Sequence, residues 1–402
     1  MQIPLPRAFV FGFLACSLLG TGVRHAGAEP LGPNSYLHTQ GKDFRDRAGK
    51  VAALRGVNIG GWLVTEGWMC GQSDDGGRWA LEQLEARFGS EQAAKLMDVW
   101  YDSWFTVRDL DRIKSYGFNV IRVPFGYRNL QDAQGNWKRD AKGGIDFSRM
   151  DWVVREAGQR GIYVIFDLHI WQGEKEKYPR ISRNEPGSAE DRARAVALWS
   201  EVAQHFKGNG AIAAFDLINE PEGCPWDAMQ RAMYEAIRKQ DPERVIIGEA
   251  MWYTNFSDKY WTNAVWSSHY PVDDKPGTVE EKVARWEKAQ GITDHPEVPA
   301  PIFIGEMKAP EDTVASAAEL TEAMNKRGWS WAVWTYKGVN VGGWASVNYY
   351  ASARYDLAKD SYEALLAKWK TDLTRWQDPA QPVNYYLSPW WIEGYSKGAA
   401  AR

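Results

Sequence analysis

Cysteine is scarce in this chain: Cys16, Cys70 and Cys224 are the only three in 402 residues. Their spacing offers no metal site. Charge of one sign is scarce too. The net charge of −4 is mild and unclustered, which gives no case for a nucleic-acid partner or an anionic membrane surface. No internal repeat and no low-complexity linker interrupts the sequence. Nor is there a membrane span, because the apolar stretch from Ala8 to Leu19 is too short.

That stretch follows the lone basic Arg7 and precedes the small-residue site Ala26-Gly27-Ala28, the pattern of a cleavable leader. Cys16 raises the alternative of a lipid-anchored N-terminus, but the apolar stretch continues past it and the small-residue site comes later. Export is the better reading, to the medium or the periplasm. Cleavage after Ala28 leaves 402 − 28 = 374 residues beginning at Glu29. We expect a leader at residues 1–28, one α/β domain at 29–377 and a tail at 378–402. Two cysteines then remain, an even count that permits a disulfide. Cys70 and Cys224 follow predicted strands 1 and 4, which lie on opposite sides of a barrel, so the pairing stays open.

What the chain has in excess is aromatic surface, with 22 Trp and 18 Tyr. Flat aromatic faces pack against the C–H faces of pyranose rings while their polar edges tolerate water. We assign roughly half of the tryptophans to a substrate cleft and the rest to the core.

From Val51 to Asp356 short apolar runs alternate with longer amphipathic ones, the signature of parallel βα units. Eight strands are read: Ala53–Asn58, Asn119–Pro124, Tyr163–Leu168, Ala213–Ile218, Arg244–Gly248, Ala264–Ser268, Pro301–Gly305 and Trp331–Thr335. Most are continuously apolar, as strands buried on both faces are. Val107, Leu110 and Ile113 keep helical spacing before Gly117, and Trp152, Val153 and Ala157 do so before Gly161. Further helices are expected near Ala189–Phe206, Pro225–Lys239, Val279–Gln290, Val314–Arg327 and Ser361–Trp376. A closed (β/α)8 TIM barrel fits this alternation better than an open sheet. Two insertions stand out: a helical segment at Ala80–Trp100 and a polar loop at Ile170–Glu190. The tail from Asp378, with Tyr385-Tyr386 and Trp390-Trp391, is too short for a second domain and is expected to pack on the barrel.

In such a barrel the C-terminal strand ends share one pocket. Read in order they carry Asn58, Arg122, His169, Asn219-Glu220, Glu249, His269-Tyr270, Glu306 and Trp334. Asn219-Glu220-Pro221 and Gly305-Glu306 each close an apolar run, so two carboxylates stand at strand ends. Glycoside hydrolysis needs such a pair: one protonates the leaving oxygen, and the other attacks the sugar or activates water. Glu249 is a rival, since Ile247-Gly248-Glu249 echoes Ile304-Gly305-Glu306. A nucleophile must stay ionised, which an adjacent guanidinium favours; the acid needs a less solvated setting or a neighbouring carboxylate. No cofactor is required.

Arg-Gly-Val-Asn-Ile-Gly-Gly-Trp-Leu-Val (55–64), Gly-Phe-Asn-Val-Ile-Arg-Val-Pro (117–124), Asp-Leu-His (167–169), Asn-Glu-Pro (219–221), Ile-Gly-Glu (304–306) and Trp334 resemble glycoside hydrolase family 5 in the right order. The resemblance implies a retaining (β/α)8 barrel, with Glu220 as acid/base after strand 4 and Glu306 as nucleophile after strand 7. It also implies that Asn219 holds the sugar 2-hydroxyl, that Arg122 orients the nucleophile and that Trp334 floors the subsite of the sugar being cleaved. Strand order sets Glu249 aside as a supporting residue. Asn58, His169, His269 and Tyr270 join the substrate-binding set. One departure concerns strand 6. Family members show His, one residue, then Tyr, whereas Ser268-His269-Tyr270-Pro271 makes them adjacent. Either His269 keeps its role and the tyrosine is shifted, or Tyr270 keeps its role and Ser268 replaces the histidine. Residues 60–68 look like the opening of exo-β-1,3-glucanases, which gives Glu66 a part in recognising the terminal glucose. The resemblance thus implies a β-glucanase, β-1,3-linked and exo-acting by preference. The alternatives are a β-1,4-endoglucanase, a transglycosylase or a non-catalytic carbohydrate-binding barrel. A monomer acting on poly- or oligosaccharide is expected.

Overall fold

The computed structural model describes residues 29–72, 80–171, 188–221, 226–249, 261–290, 300–371 and 385–400. Eight parallel strands close into a barrel: β1 Arg55–Asn58, β2 Val120–Gly126, β3 Tyr163–Ile170, β4 Ile212–Asp216, β5 Ile246–Glu249, β6 Ala264–His269, β7 Ile302–Met307 and β8 Ser330–Val333. β8 pairs with β1 to complete the ring. All eight expected strands are present, and the open-sheet alternative falls away.

The lumen is filled by side chains such as Val120, Ile165, Ala214, Ile247, Val265, Phe303 and Ala332, so it is packed and not a pore. An antiparallel hairpin of His38–Gln40 and Asp43–Arg45 adds Leu37 and Phe44 to the same cluster. Thr39 N–H donates to Asn263 Oδ1 at 2.7 Å, which ties this hairpin to the start of β6.

Helices cover the outside: α1 Val107–Ser115, α2 Ser148–Gln159, α3 Ala189–His205, α4 Trp226–Gln240, α5 Val279–Ala289, α6 Val314–Lys326 and α7 Tyr362–Thr371. Several starts are written in the sequence. Thr106, Ser188 and Thr278 each form a capping box with an acidic residue three positions on, which satisfies otherwise orphaned helix N–H groups. The Ala80–Trp100 insertion is two helices, Ala80–Phe88 and Ser90–Trp104; they part at Gly89, whose φ of 78° suits glycine. Most of the 170–190 insertion lies outside the described residues. So do the leader, Cys224 and the 372–384 stretch. Cys70 is a free, buried thiol.

After β8 the chain forms a small sheet from Lys337–Val339, Val347–Tyr349 and Tyr385–Leu387. Beyond it, Asn325 Nδ2 donates to Gly398 O at 2.9 Å, so the C-terminal helix Ser396–Ala400 seats on α6. The tryptophan expectation needs correcting. Trp62, Trp100, Trp104, Trp171, Trp199, Trp331, Trp369 and Trp391 are all fully buried. Trp100 and Trp104 stack at 4.7 Å, while Trp62 packs on Phe105 and Trp152. These rings fill the space between barrel and insertion, where their area and edge-to-face contacts stabilise packing. Trp68, Trp334 and Trp344 are the described tryptophans that border the strand-end pocket considered next.

Candidate active site

Barrel register sets polar residues level with one another. Asn58 pairs with Arg122 across β1 and β2, Asp167 with Asp216 across β3 and β4, Glu249 with Ser267 across β5 and β6, and His269 with Glu306 across β6 and β7. In each case the strand continues as an apolar run below. The pocket is therefore a polar ring on an apolar barrel.

Arg122 is its hub and has no exposed surface. Its Nε donates to Asp216 Oδ2 at 2.8 Å. Nη1 donates to Asn58 Oδ1 and to Glu306 Oε1, each at 3.1 Å. Nη2 donates to Asn219 Oδ1 at 2.9 Å and lies 3.1 Å from Asp167 Oδ2 and 3.7 Å from Glu249 Oε1. Burial opposes the guanidinium's charge, but the surrounding Asp167, Asp216, Glu306 and Glu249 keep it protonated. Asp216, buried among other carboxyls, has its pKa pushed well up despite Arg122. Sequence reasoning passed over Asp167 and Asp216 as site residues. The signal was available: an acid inside an otherwise apolar buried strand needs a cation close by.

Glu306 is nearly buried, with its side chain 5% exposed. Besides Arg122 on Oε1, it accepts from the Tyr270 hydroxyl on Oε2 at 3.0 Å. Glu220 is more open, at 30%, and its carboxylate Oε1 lies 2.9 Å from His269 Nδ1. A carboxyl oxygen of Glu220 and one of Glu306 lie within 4.8 Å of each other. Glu220 and Tyr270 have φ of 39° and 49°, left-handed values that cost non-glycine residues about 1–3 kcal/mol and cluster at functional sites.

The adjacent His269 and Tyr270 reach both carboxyls, one each. The strands accommodate this with a register shift between Ser268 and His269, where His269 comes level with Glu306, and with the left-handed turn at Tyr270. In this arrangement His269 faces Glu220 while Tyr270 faces Glu306.

The two carboxyls are shifted in opposite directions. Burial pushes the Glu306 pKa up, only partly offset by His269 and Arg122. Burial acts the same way on Glu220, but the His269 hydrogen bond and charge outweigh it and hold Glu220 below the ordinary carboxyl range. His269 itself, squeezed among Glu249, Glu306 and Glu220, has its pKa raised well above normal in spite of burial. Nothing in the sequence shows which carboxyl a histidine will face.

On the other flank His169 Nδ1 is 2.8 Å from Asp167 Oδ2. Its Nε2 is 3.7 Å from Glu66 Oε1 and 3.5 Å from Asn219 Nδ2. The His169 ring stacks on Trp334 at 5.6 Å and 11°. Glu66 Oε2 accepts from Trp68 Nε1 at 2.7 Å, while its Oε1 is buried without a hydrogen-bond partner. Trp68 is 44% exposed and meets Trp344 edge-on at 5.8 Å; Trp344 in turn meets Tyr270 at 6.2 Å. Trp344, in the loop after β8, was not singled out in the sequence, because nothing there distinguishes it from the buried rings.

Of the residues expected to touch substrate, Asn58 and Arg122 are fully buried. Asn58 Nδ2 donates to Gly305 O at 2.8 Å and to Val333 O at 3.3 Å, joining β1 to β7 and β8 behind the pocket. Glu249 is also buried and stands behind His269, away from Glu220. Glu220, His269 and Glu306 each bring one possible ligand atom within 4.8 Å of the others, while Arg122 and Tyr270 each donate to one oxygen of Glu306.

The chain matches a family model described as Cellulase (glycosyl hydrolase family 5) over residues 82–340. It is 26% identical to the "Beta-xylosidase" of Phanerodontia chrysosporium, with 87% of this chain and 81% of that protein covered. It is 29% identical to "Probable glucan 1,3-beta-glucosidase A" of Aspergillus niger over 47% of this chain and 46% of that one, so it spans about half the length of this second relative. Among solved structures, a β-glucanase from Saccharophagus degradans superposes with a TM-score of 0.52 at 16% identity, covering 85% and 94% of the two chains. A rutinosidase from Aspergillus niger gives 0.54 at 17%, covering 71% and 90%. These two share the fold. With the matched family model spanning most of the barrel, and with paired carboxyls at the ends of the strands, the chain belongs to glycosyl hydrolase family 5 and is a glycoside hydrolase.

Proposed function

We propose that this chain is a retaining β-glycosidase acting on β-glucan by double displacement, with Glu306 as nucleophile and Glu220 as acid/base. The observation that carries this is that one carboxyl oxygen of Glu220 and one of Glu306 lie within 4.8 Å of each other, too close to seat a water between the carboxyls at the inverting spacing. Retaining enzymes hold the pair about 5–5.5 Å apart, whereas inverting ones leave about 6.5–9.5 Å for water. Arg122 and Tyr270 fix the aim of Glu306, and the more open Glu220 can meet both the leaving oxygen and the incoming water. Asn219, His169, Trp334 and Glu66 line the sugar being cleaved. Asn58 and Arg122 position the nucleophile from behind.

β-1,3-Glucan attacked from the chain end is the favoured substrate. The names of the Aspergillus niger relative and its fungal counterparts support it. So does the placing of Glu66 beside His169 at the pocket, where its carboxyl can turn to a terminal hydroxyl. A second reading, an exo-acting β-xylosidase, rests on the Phanerodontia chrysosporium relative, which spans most of the chain. An endo-acting reading rests on the 24% identical "Endoglucanase" of Paenibacillus polymyxa. The protein is secreted as a monomer after loss of residues 1–28, with 29–377 as catalytic domain and 378–402 as a tail on the barrel.

Products from laminarin, carboxymethylcellulose and aryl β-xyloside, with Glu306→Gln as blank, test this. Glucose alone from laminarin is expected. Mixed oligosaccharides from cellulose would overturn the exo assignment, and turnover of xyloside alone would overturn the glucan assignment. An inverted anomer as first product, seen by NMR, would sink the retaining mechanism.

A further inference from the structure

His269 is buried at the end of β6 and several ionisable groups crowd it. Its Nδ1 lies 2.9 Å from Glu220 Oε1 and 3.8 Å from Glu306 Oε2. On its other edge Nε2 lies 3.3 Å from Glu249 Oε1, close enough for an ion pair though not aligned as a hydrogen bond. The Tyr270 ring stands perpendicular to it at 6.2 Å. Arg122 comes within 3.7 Å of the same Glu249 oxygen. These are the charged and titratable groups that face the imidazole from β2, β4, β5, β6 and β7.

Glu249 is firmly held, although the chemistry described so far does not use it. Its N–H donates to Gln230 Oε1 and its carbonyl accepts from Gln230 Nε2, each at 3.1 Å. The Ser267 hydroxyl donates to Oε1 at 3.0 Å. This anchoring from α4 and β6 aims one carboxyl at the far nitrogen of the histidine that touches Glu220.

We propose that Glu249 keeps the working proton of the site on His269, from which it passes to Glu220 before the leaving oxygen is protonated. This rests on Glu220 being the acid/base. In the transfer the Nδ1–H bond breaks and the proton moves to Glu220 Oε1 along the existing hydrogen bond. The imidazole keeps its other proton on Nε2, facing Glu249. The neutral Glu220 carboxyl then gives the proton to the glycosidic oxygen, which takes the electron pair of the breaking C–O bond as Glu306 bonds to the carbon. When water later attacks that carbon, the bond to Glu306 breaks with its electron pair returning to the Glu306 carboxylate, and the water's proton returns through Glu220 to His269. The raised pKa of His269 and the lowered pKa of Glu220 agree with this resting distribution. Glu249 is thus a positioning residue that acts through His269.

The test is a pH titration of 15N-labelled imidazoles by NMR in the wild type, Glu249→Gln and Glu249→Asp, with His269 assigned by its loss in His269→Asn. His269 should stay an imidazolium at least about one pH unit beyond the ordinary histidine midpoint of about 6.5. Glu249→Gln should lower its midpoint by about one unit or more, and Glu249→Asp, which keeps the charge, should leave it nearer the wild type. The alkaline limb of kcat/KM on an aryl β-glycoside should move down with the midpoint in Glu249→Gln. An ordinary midpoint in the wild type overturns the proposal, even if the glutamine variant does not fold. So does an unmoved midpoint with a rate loss equal at every pH, which is the mark of a merely structural residue. A shifted midpoint in a protein that cleaves no glycoside supports the Glu249–His269 pairing and overturns the Glu220 assignment instead.

Discussion

Gly305 faces His269 with no space for a side chain between them: a Cβ on Gly305 would lie 2.7 Å from His269 Nε2 and 2.8 Å from Ser267 Oγ. The absence of one methyl group therefore sets where the imidazole sits. Gly305→Ala should push His269 off Glu220 and Glu249. A displacement of that order costs about a hundred-fold in turnover, while the barrel should still melt cooperatively. Steady-state kinetics beside a thermal melt check this; wild-type kcat in a folded variant would show that the histidine has more freedom than its contacts indicate.

Glu306→Gln keeps the shape of the side chain, and its Oε1 can still accept from Arg122, but it removes the proposed nucleophile. Turnover should fall by about a thousand-fold or more while oligosaccharide binding, read by calorimetry, persists. Glu220→Ala should lose far more activity on poor leaving groups than on good ones, and azide should rescue it. Failure of both rescues would point to another proton donor.

The eight strands were legible because most are buried on both faces and read as apolar runs, and the spacing of Val107, Leu110 and Ile113 before Gly117 marked a helix. Glu220 and Glu306 were legible as strand-end acids. The arrangement around β6 was not. The sequence shows Ser268-His269-Tyr270 as three consecutive residues, but a register shift and a left-handed turn, which depend on the neighbouring strand, decide where each one points. Asp167 and Asp216 were missed because the run around them reads as core. The tryptophans were over-assigned to the cleft because composition counts rings without locating them.

Stability should decline on the alkaline side. His169 and His269 have raised pKa values through Asp167 and Glu249 respectively, against the effect of burial. Their contribution is complete below the unfolded midpoint of about 6.5 and is lost as pH rises through the folded values. Glu306 and Asp216, raised by burial, act in the same sense from about pH 4 upward. Glu220, held low by His269, contributes in the opposite sense and loses its share as pH falls below about 4.5. Tm at constant ionic strength should therefore peak in mild acid and fall as pH rises above about 6.5; a rise there would contradict the assignment.

Lys337 is fully buried after β8, with Nζ 2.8 Å from Asp109 Oδ1 on α1 and a further contact to Trp104 O. Lys337→Met would strand the Asp109 charge and should destabilise by about 3–5 kcal/mol. Adding Asp109→Asn should recover part of that loss in a denaturant titration, and a double variant weaker than the sum of the singles would exclude a shared ion pair.

The exposed Trp68 and the half-buried Trp344 form an edge-to-face pair between Glu66 and Tyr270. Trp344→Ala should raise KM for a polymeric glucan about ten-fold, from the loss of roughly 1.4 kcal/mol of ring contact. It should affect a small aryl glucoside less. Equal effects on both substrates would place the ring at the reacting sugar.

Arg122 reaches from β2 to acceptors on β1, β3, β4, β5 and β7 or just past their ends. One side chain thus registers the position of six strands at the reactive end of the barrel. A strand that slipped by a single residue would break several of its contacts at once. Apart from the turn after β4 that carries Asn219 and Glu220, the loops above that plane lie outside this set of contacts. Those loops can therefore change which sugar is admitted while Glu306 keeps its place against a guanidinium that six strands share.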